Sequence, residues 1–144
     1  MGSLARFFVV AAALLATAGA LAQTDSVPEA DAQAIRSVIE AQLAAFSADD
    51  AEKAFSFASE GIQKTFGSPE NFMAMVKGSY PVVYRPATVV FLEPMQLDDE
   101  VLQSVQMADD ADRLWLALYR MQRQPDNSWR IGGCVLKSLE GSRS

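Results

Sequence analysis

Glu93 stands inside the apolar run Val90-Phe91-Leu92-Glu93-Pro94. A carboxyl held in apolar surroundings beside a cavity has a raised pKa and can act as a general base near neutral pH. The same residue also has a structural use, as a charge that protects a sheet edge next to a proline. Tyr84 and Tyr119 are the hydroxyls that could donate a hydrogen bond to an oxygen developing charge. Arg85, set between Tyr84 and Pro86 in an extended segment, carries a planar fork suited to a carboxylate or phosphate. It would equally serve as the structural partner of an Asp or Glu on a neighbouring helix. Tyr119 and Arg120 are consecutive in a long apolar run, so they point to opposite faces of a strand. Whichever faces the interior is a ligand contact. An arginine in the middle of an apolar strand needs a partner, and Gln103 and Glu93 are the expected ones. Tyr84, Arg85, Tyr119 and Arg120 are therefore the candidate ligand-binding residues, and Glu93 is the candidate base.

Missing residue types exclude other chemistries. The 144 residues contain no His and one Cys. Ser-His-Asp hydrolysis, Cys-His proteolysis, His-ligated zinc, multi-Cys clusters and an internal disulfide are all excluded. Asp98, Asp99, Glu100, Asp109, Asp110 and Asp112 fall in turns, where short carboxylates bond their own backbone. Asp110-x-Asp112 lacks the rest of a calcium loop. Gly132-Gly133 lies within a strand and marks a bend or a close approach rather than a phosphate loop. Cys134 sits in apolar sequence and reads as a buried, inert thiol. No metal site and no cofactor is expected. Lys and Arg number 12 against 18 Asp and Glu, and an acidic domain repels nucleic acid and has no basic patch for anionic lipid.

The first 22 residues have their own composition. Arg6 is a positive n-region, Phe7–Ala16 a ten-residue apolar stretch, and Ala20-Leu21-Ala22 a small-x-small cleavage pattern. A secretory signal peptide over residues 1–22 is expected, cleaved between Ala22 and Gln23. The uncharged run falls short of the ~20 apolar residues of a membrane span, so no stable membrane anchor is expected after cleavage. The short, Ala-rich signal looks bacterial, which places the product in the periplasm or outside the cell. Beyond it, residues 23–30 form a linker, 31–137 a single domain and 138–144 a polar tail.

The elements that must position the candidate residues follow from periodicity. Ile35, Val38, Ile39, Gln42, Leu43 and Phe46 recur at helical spacing. Asp49 with Glu52 predicts the start of a second helix over about 50–58, stopped by Gly61, with one further turn from Ile62 to Gly67. Ser68-Pro69 predicts a third start, running to about Gly78 and burying Phe72, Met75 and Val76. Pro81 and Pro86 argue against regular helix beyond it. Four extended segments follow: Thr88–Leu97 with a bulge or edge at Pro94, Val101–Met107, Leu114–Gln124 and Trp129–Lys137. Short polar turns join them, which predicts an antiparallel meander. Helices first and strands second give an α+β domain: three N-terminal helices packed on a four-stranded antiparallel sheet. Leu114, Leu116 and Leu118 lie on one face of the third strand, with Trp115, Ala117, Tyr119 and Met121 on the other. Both faces are apolar and both want cover, so a homodimer through the outer sheet face, or a ligand, is expected. The alternative is that Trp115 and Tyr119 line an ordinary core on a bent sheet.

Several separated stretches together resemble one family: DAQAIRSVIEAQLAAFSADDAEKAFSFAS, GIQKTFG, NFMAMV with YPVVYRP, and RQPDNSWRIGGC. They are similar to a bacterial domain-of-unknown-function family, number 4864, over about Asp31–Leu136. The order of elements resembles the nuclear transport factor 2-like superfamily. That resemblance implies a curved, cone-shaped sheet closed by helices and the presence of a pocket; it transfers no catalytic residue. The function expected is non-catalytic binding of a small apolar or amphipathic molecule, or of a partner protein, by an exported domain. The alternative is a small acid–base isomerase or lyase using Glu93 with Tyr84 or Tyr119.

Overall fold

The computed structural model describes residues 26–140. The expected signal segment and its cleavage site at Ala22 and Gln23 lie outside the described residues. No helix among those described is long and apolar enough to cross a membrane.

The helical half comes first. α1 (Glu29–Ser47) begins two residues before Asp31, with Glu29 and Asp31 in its first turn, where carboxylates suit the helix dipole. Its buried stripe is Ile35, Ile39, Gln42, Leu43 and Phe46, at the spacing that faces a core. α2 (Ala51–Ser56) is capped by Asp50, which accepts the Lys53 N–H at 3.1 Å. Asp49, the expected cap, instead takes a left-handed turn at φ 52°. α3 (Glu60–Phe66) is capped by Ser59 and closed by Gly67 at φ 78°, where only glycine sits without strain. Gly61, expected to stop a helix, lies inside α3. α4 (Pro69–Ser79) starts on Ser68, whose hydroxyl accepts the Asn71 N–H at 3.1 Å. A short α5 (Pro81–Tyr84) follows. Pro81 initiates this turn rather than forbidding it, because at the first helical position its missing N–H has no intrahelical bond to lose. There are thus five helical segments among the described residues where three were expected.

The sheet is antiparallel, and its strands run β1 (Thr88–Phe91), β2 (Met95–Leu97), β3 (Glu100–Ala108), β4 (Leu114–Arg123) and β5 (Trp129–Ser138). The strand order is β1-β3-β4-β5, and β2 also pairs with β3. Five strands therefore fill four rows. The expected first strand is broken at Leu92-Glu93-Pro94, where proline offers no N–H to the ladder. Glu93 sits in this break and is exposed, not inside a strand. Between β4 and β5 the register slips, with Arg120 opposite Gly133 and Met121 opposite Ile131. Gly132 is the extra residue of a β-bulge.

The helices cover one sheet face. Val101, Val105 and Met107 of β3, Ala117, Tyr119 and Met121 of β4, and Ile131 of β5 point into this core and meet Ile35, Ile39, Phe46 and Phe72. The helical half is stitched to the last strand by main chain as well. Ser59 donates its N–H to the Ile131 carbonyl and Ile131 donates to the Phe57 carbonyl, each at 2.8 Å, forming a parallel bridge between Ala58 and Ile131.

Candidate functional site

Where α1, α3 and α4 meet β4 and β5, the packing leaves a cavity of about 240 Å³. Aromatic rings form one wall. Phe72 stands 6.0 Å from Phe46 and 5.9 Å from Phe66, centroid to centroid, and all three border the space. Ile62, Met75, Val76, Val83 and Ile131 complete the apolar lining. Phe46, Phe72, Val76 and Ile131 are buried, whereas Ile62, Phe66, Met75 and Gly133 are half-buried. The more accessible residues lie on α3, α4 and β5, so the way in runs between α3–α4 and the bulged stretch of β5.

Few polar groups border this space. The Gln42 amide donates to the Ala54 carbonyl at 3.1 Å. The Tyr80 hydroxyl donates to the Cys134 carbonyl at 3.3 Å. The Tyr119 hydroxyl has no partner at all, although Tyr119 is 1% exposed. Most buried polar atoms in folded proteins are paired, which makes this phenol an exception that calls for a reason. Burial drives its pKa well above the usual tyrosine value, with the neighbouring Cys134 adding to the effect. It is therefore a neutral O–H donor at any physiological pH. Burial also pushes the Cys134 thiol up to about 12, in keeping with the inert thiol expected from its apolar sequence. No carboxylate, lysine or arginine lines this cavity.

The other candidate residues lie elsewhere. Tyr84 and Arg85 belong to an exposed cluster around Asp49. The Tyr84 hydroxyl donates to Asp49, and Arg85 reaches Asp49 Oδ2 at 3.2 Å and the Tyr84 oxygen at 3.1 Å. Lys77 Nζ lies 3.6 Å from the same carboxylate. The Lys77 and Arg85 cations stand 5.2 and 4.8 Å from the Tyr84 ring centroid. The Tyr84 hydrogen bond first, then the two cations, hold Asp49 below the usual carboxylate range. Arg85 thus has the structural partner weighed above, on the turn after α1, and engages it through Nη2.

Arg120 points to the outer face, opposite Tyr119. Its Nε lies 3.0 Å from Glu100 and its Nη2 donates to the Gly132 carbonyl at 2.9 Å. Glu100, rather than Gln103 or Glu93, is its partner, because Gln103 points inward and binds the Leu92 carbonyl at 2.7 Å. Glu93 borders a separate open groove with Arg36, Phe91 and Gln103, whose lining includes neither Tyr84 nor Tyr119. The outer sheet face leaves Val90, Met95 and Val135 exposed.

Asp109 does turn work, whereas Glu100, expected in a turn, is the first residue of β3 and pairs with Arg120. Asp109, 8% exposed, accepts the N–H groups of Ala111 and Arg113, each at 3.0 Å, and the Trp115 indole at 3.1 Å. Burial pulls its pKa up, but these bonds and the Arg113 charge outweigh it and hold the group below its usual value.

Of the candidate residues, only Tyr119 borders the apolar cavity. Nothing in the sequence marks the phenylalanines and Gln42 as site residues, since each fits an ordinary core stripe. The nearest signal was Gln42, a polar residue in the apolar phase of α1, and Gly132-Gly133, small residues opposite a large strand. One family model, described as Domain of unknown function (DUF4864), matches residues 28–143. No curated protein and no solved structure matches the chain.

Proposed function

The chain belongs to the family described as Domain of unknown function (DUF4864), and from its interior we propose that it binds a small apolar molecule without transforming it. The observation that carries the reading is the cavity of about 240 Å³ walled by Phe46, Phe66 and Phe72. A concave, mostly apolar hollow with a few polar groups and a way in is the form that small-molecule sites take. A site for binding rather than reaction is supported by its lining, which presents a single free phenol and no acid–base pair. Glu93, the base of the alternative reading, is exposed and borders another groove.

Native mass spectrometry of the protein purified from its own cells tests this. The expected result is a population carrying extra mass that is lost on denaturation. Val76→Phe, which fills the cavity, should abolish that population. Bare wild-type protein that also shows no thermal shift with apolar probes would overturn the reading. The same spectrum checks the proposed export, since a chain starting at Gln23 in the periplasmic or secreted fraction is expected. It also gives the subunit count.

A further inference from the structure

We infer that the molecule held in this cavity is neutral, has about ten heavy atoms, and carries one hydrogen-bond acceptor of the carbonyl or ether kind that receives the Tyr119 hydroxyl. The inference deepens the binding reading above and rests on it.

Size comes first. An engineered apolar cavity of ~150 Å³ holds benzene. A space of about 240 Å³ therefore suits a molecule of roughly ten heavy atoms by the same scale. Charge comes second. No cationic or anionic side chain borders the space, and an ionised group moved there would lose its hydration with nothing to replace it. Carboxylates and amines are thereby disfavoured as charged species. Polarity comes third. Gln42 directs one amide N–H to the Ala54 carbonyl and Tyr80 its hydroxyl to the Cys134 carbonyl. The Tyr119 hydroxyl is the buried side-chain polar atom on this lining left with no partner. A phenol is a better donor than acceptor, so the group that completes it is an acceptor. Burial keeps the phenol protonated, so the donor is available across the physiological range.

Three probes of nine heavy atoms separate these conditions: acetophenone, isopropylbenzene and benzoate. Their binding to the full chain and to Tyr119→Phe is measured by calorimetry at pH 7.5. Wild-type protein is expected to bind acetophenone and isopropylbenzene and not benzoate. In Tyr119→Phe the acetophenone affinity should fall about three- to tenfold, the worth of one neutral hydrogen bond. Isopropylbenzene affinity should hold or rise. The carbonyl stretch of bound acetophenone should lie at lower frequency in wild type than in Tyr119→Phe, a signature that general loosening of the core would not produce. If Tyr119→Phe leaves acetophenone affinity and its carbonyl stretch unchanged while both neutral probes still bind, the acceptor assignment fails and the cavity reading stands. If benzoate binds as tightly as acetophenone, the neutrality assignment fails. If none of the three binds, the cavity reading itself fails, and this inference with it.

Discussion

Tyr119 and Cys134 face each other across the β4–β5 ladder, and each makes a prediction at the scale of a single side chain. An unpaired buried hydroxyl costs the fold about 1–3 kcal/mol of desolvation. Tyr119→Phe should therefore leave the empty protein as stable as wild type or about 1 kcal/mol more stable in urea unfolding, unlike most changes in a core. With its thiol at about 12, Cys134 should be almost entirely protonated at pH 8. A thiol-specific reagent should modify it at least about a thousandfold more slowly in the folded chain than in urea, where the ordinary value near 8.5 returns. Rapid modification of the folded protein would contradict the packing around β5. At this scale the alternation along Leu114–Gln124 was enough to set Tyr119 and Arg120 on opposite faces, but not to say which of them faces inward. It could not supply their partners. Glu100 rather than Glu93 pairs with Arg120 because cross-strand register sets Leu102 opposite Arg120 and leaves Glu100 one pleat away on the same face.

Among the elements, caps and the bulge are the parts with measurable worth. Ser68→Ala removes the acceptor for the Asn71 N–H, and a loss of about 1 kcal/mol is expected in chemical unfolding. At Gly132 a methyl group would come 2.6 Å from the Gln122 amide carbon. Gly132→Ala should cost about 1–2 kcal/mol by overpacking. Adding Gln122→Ala should return most of that cost, and equal instability of single and double variants would show that the bulge backbone, not the neighbour, is the constraint. Ser68-Pro69 and Gly67 were legible in the sequence because cap chemistry is local. The choice of Asp50 over Asp49 was not, because Tyr84 and Arg85, more than thirty residues on, claim Asp49. The split of the first strand was half legible. Pro94 announced an irregularity, but pairing of both halves with β3 is a property of the sheet. The helical turn at Pro81 escaped because a proline that ends one helix can also begin the next.

For the whole molecule, the α+β order was readable from periodicity, whereas the cavity was not. A void is a mismatch among residues that are each unremarkable, and Phe46, Phe66 and Phe72 carry no mark distinguishing a wall from a filled core. Stability against acid is a second global property. Asp49, Asp109 and Asp126 are all held below the ordinary 3.8 in the folded state, Asp109 by its turn N–H groups and Asp126 by Ser128. Groups with depressed folded pKa values add stability that is fully present above the unfolded value and is lost as pH falls through the folded one. Urea midpoints should be flat from pH 7 to about 5 and drop below about pH 4. Asp109→Asn should lower the midpoint at pH 7 and flatten the acid limb.

The Ala58–Ile131 bridge joins segments far apart in the chain, before and after most of the sheet. Closing so long a loop is entropically unfavourable until both halves exist, so these hydrogen bonds form late and open only when the halves part. The Ser59 and Ile131 amides are then clocks for that separation in hydrogen exchange. Because Ala58 and Ile131 also border the cavity, an occupant that bridges the halves should slow both clocks together by the same factor, and leave the amides at the start of α1 untouched.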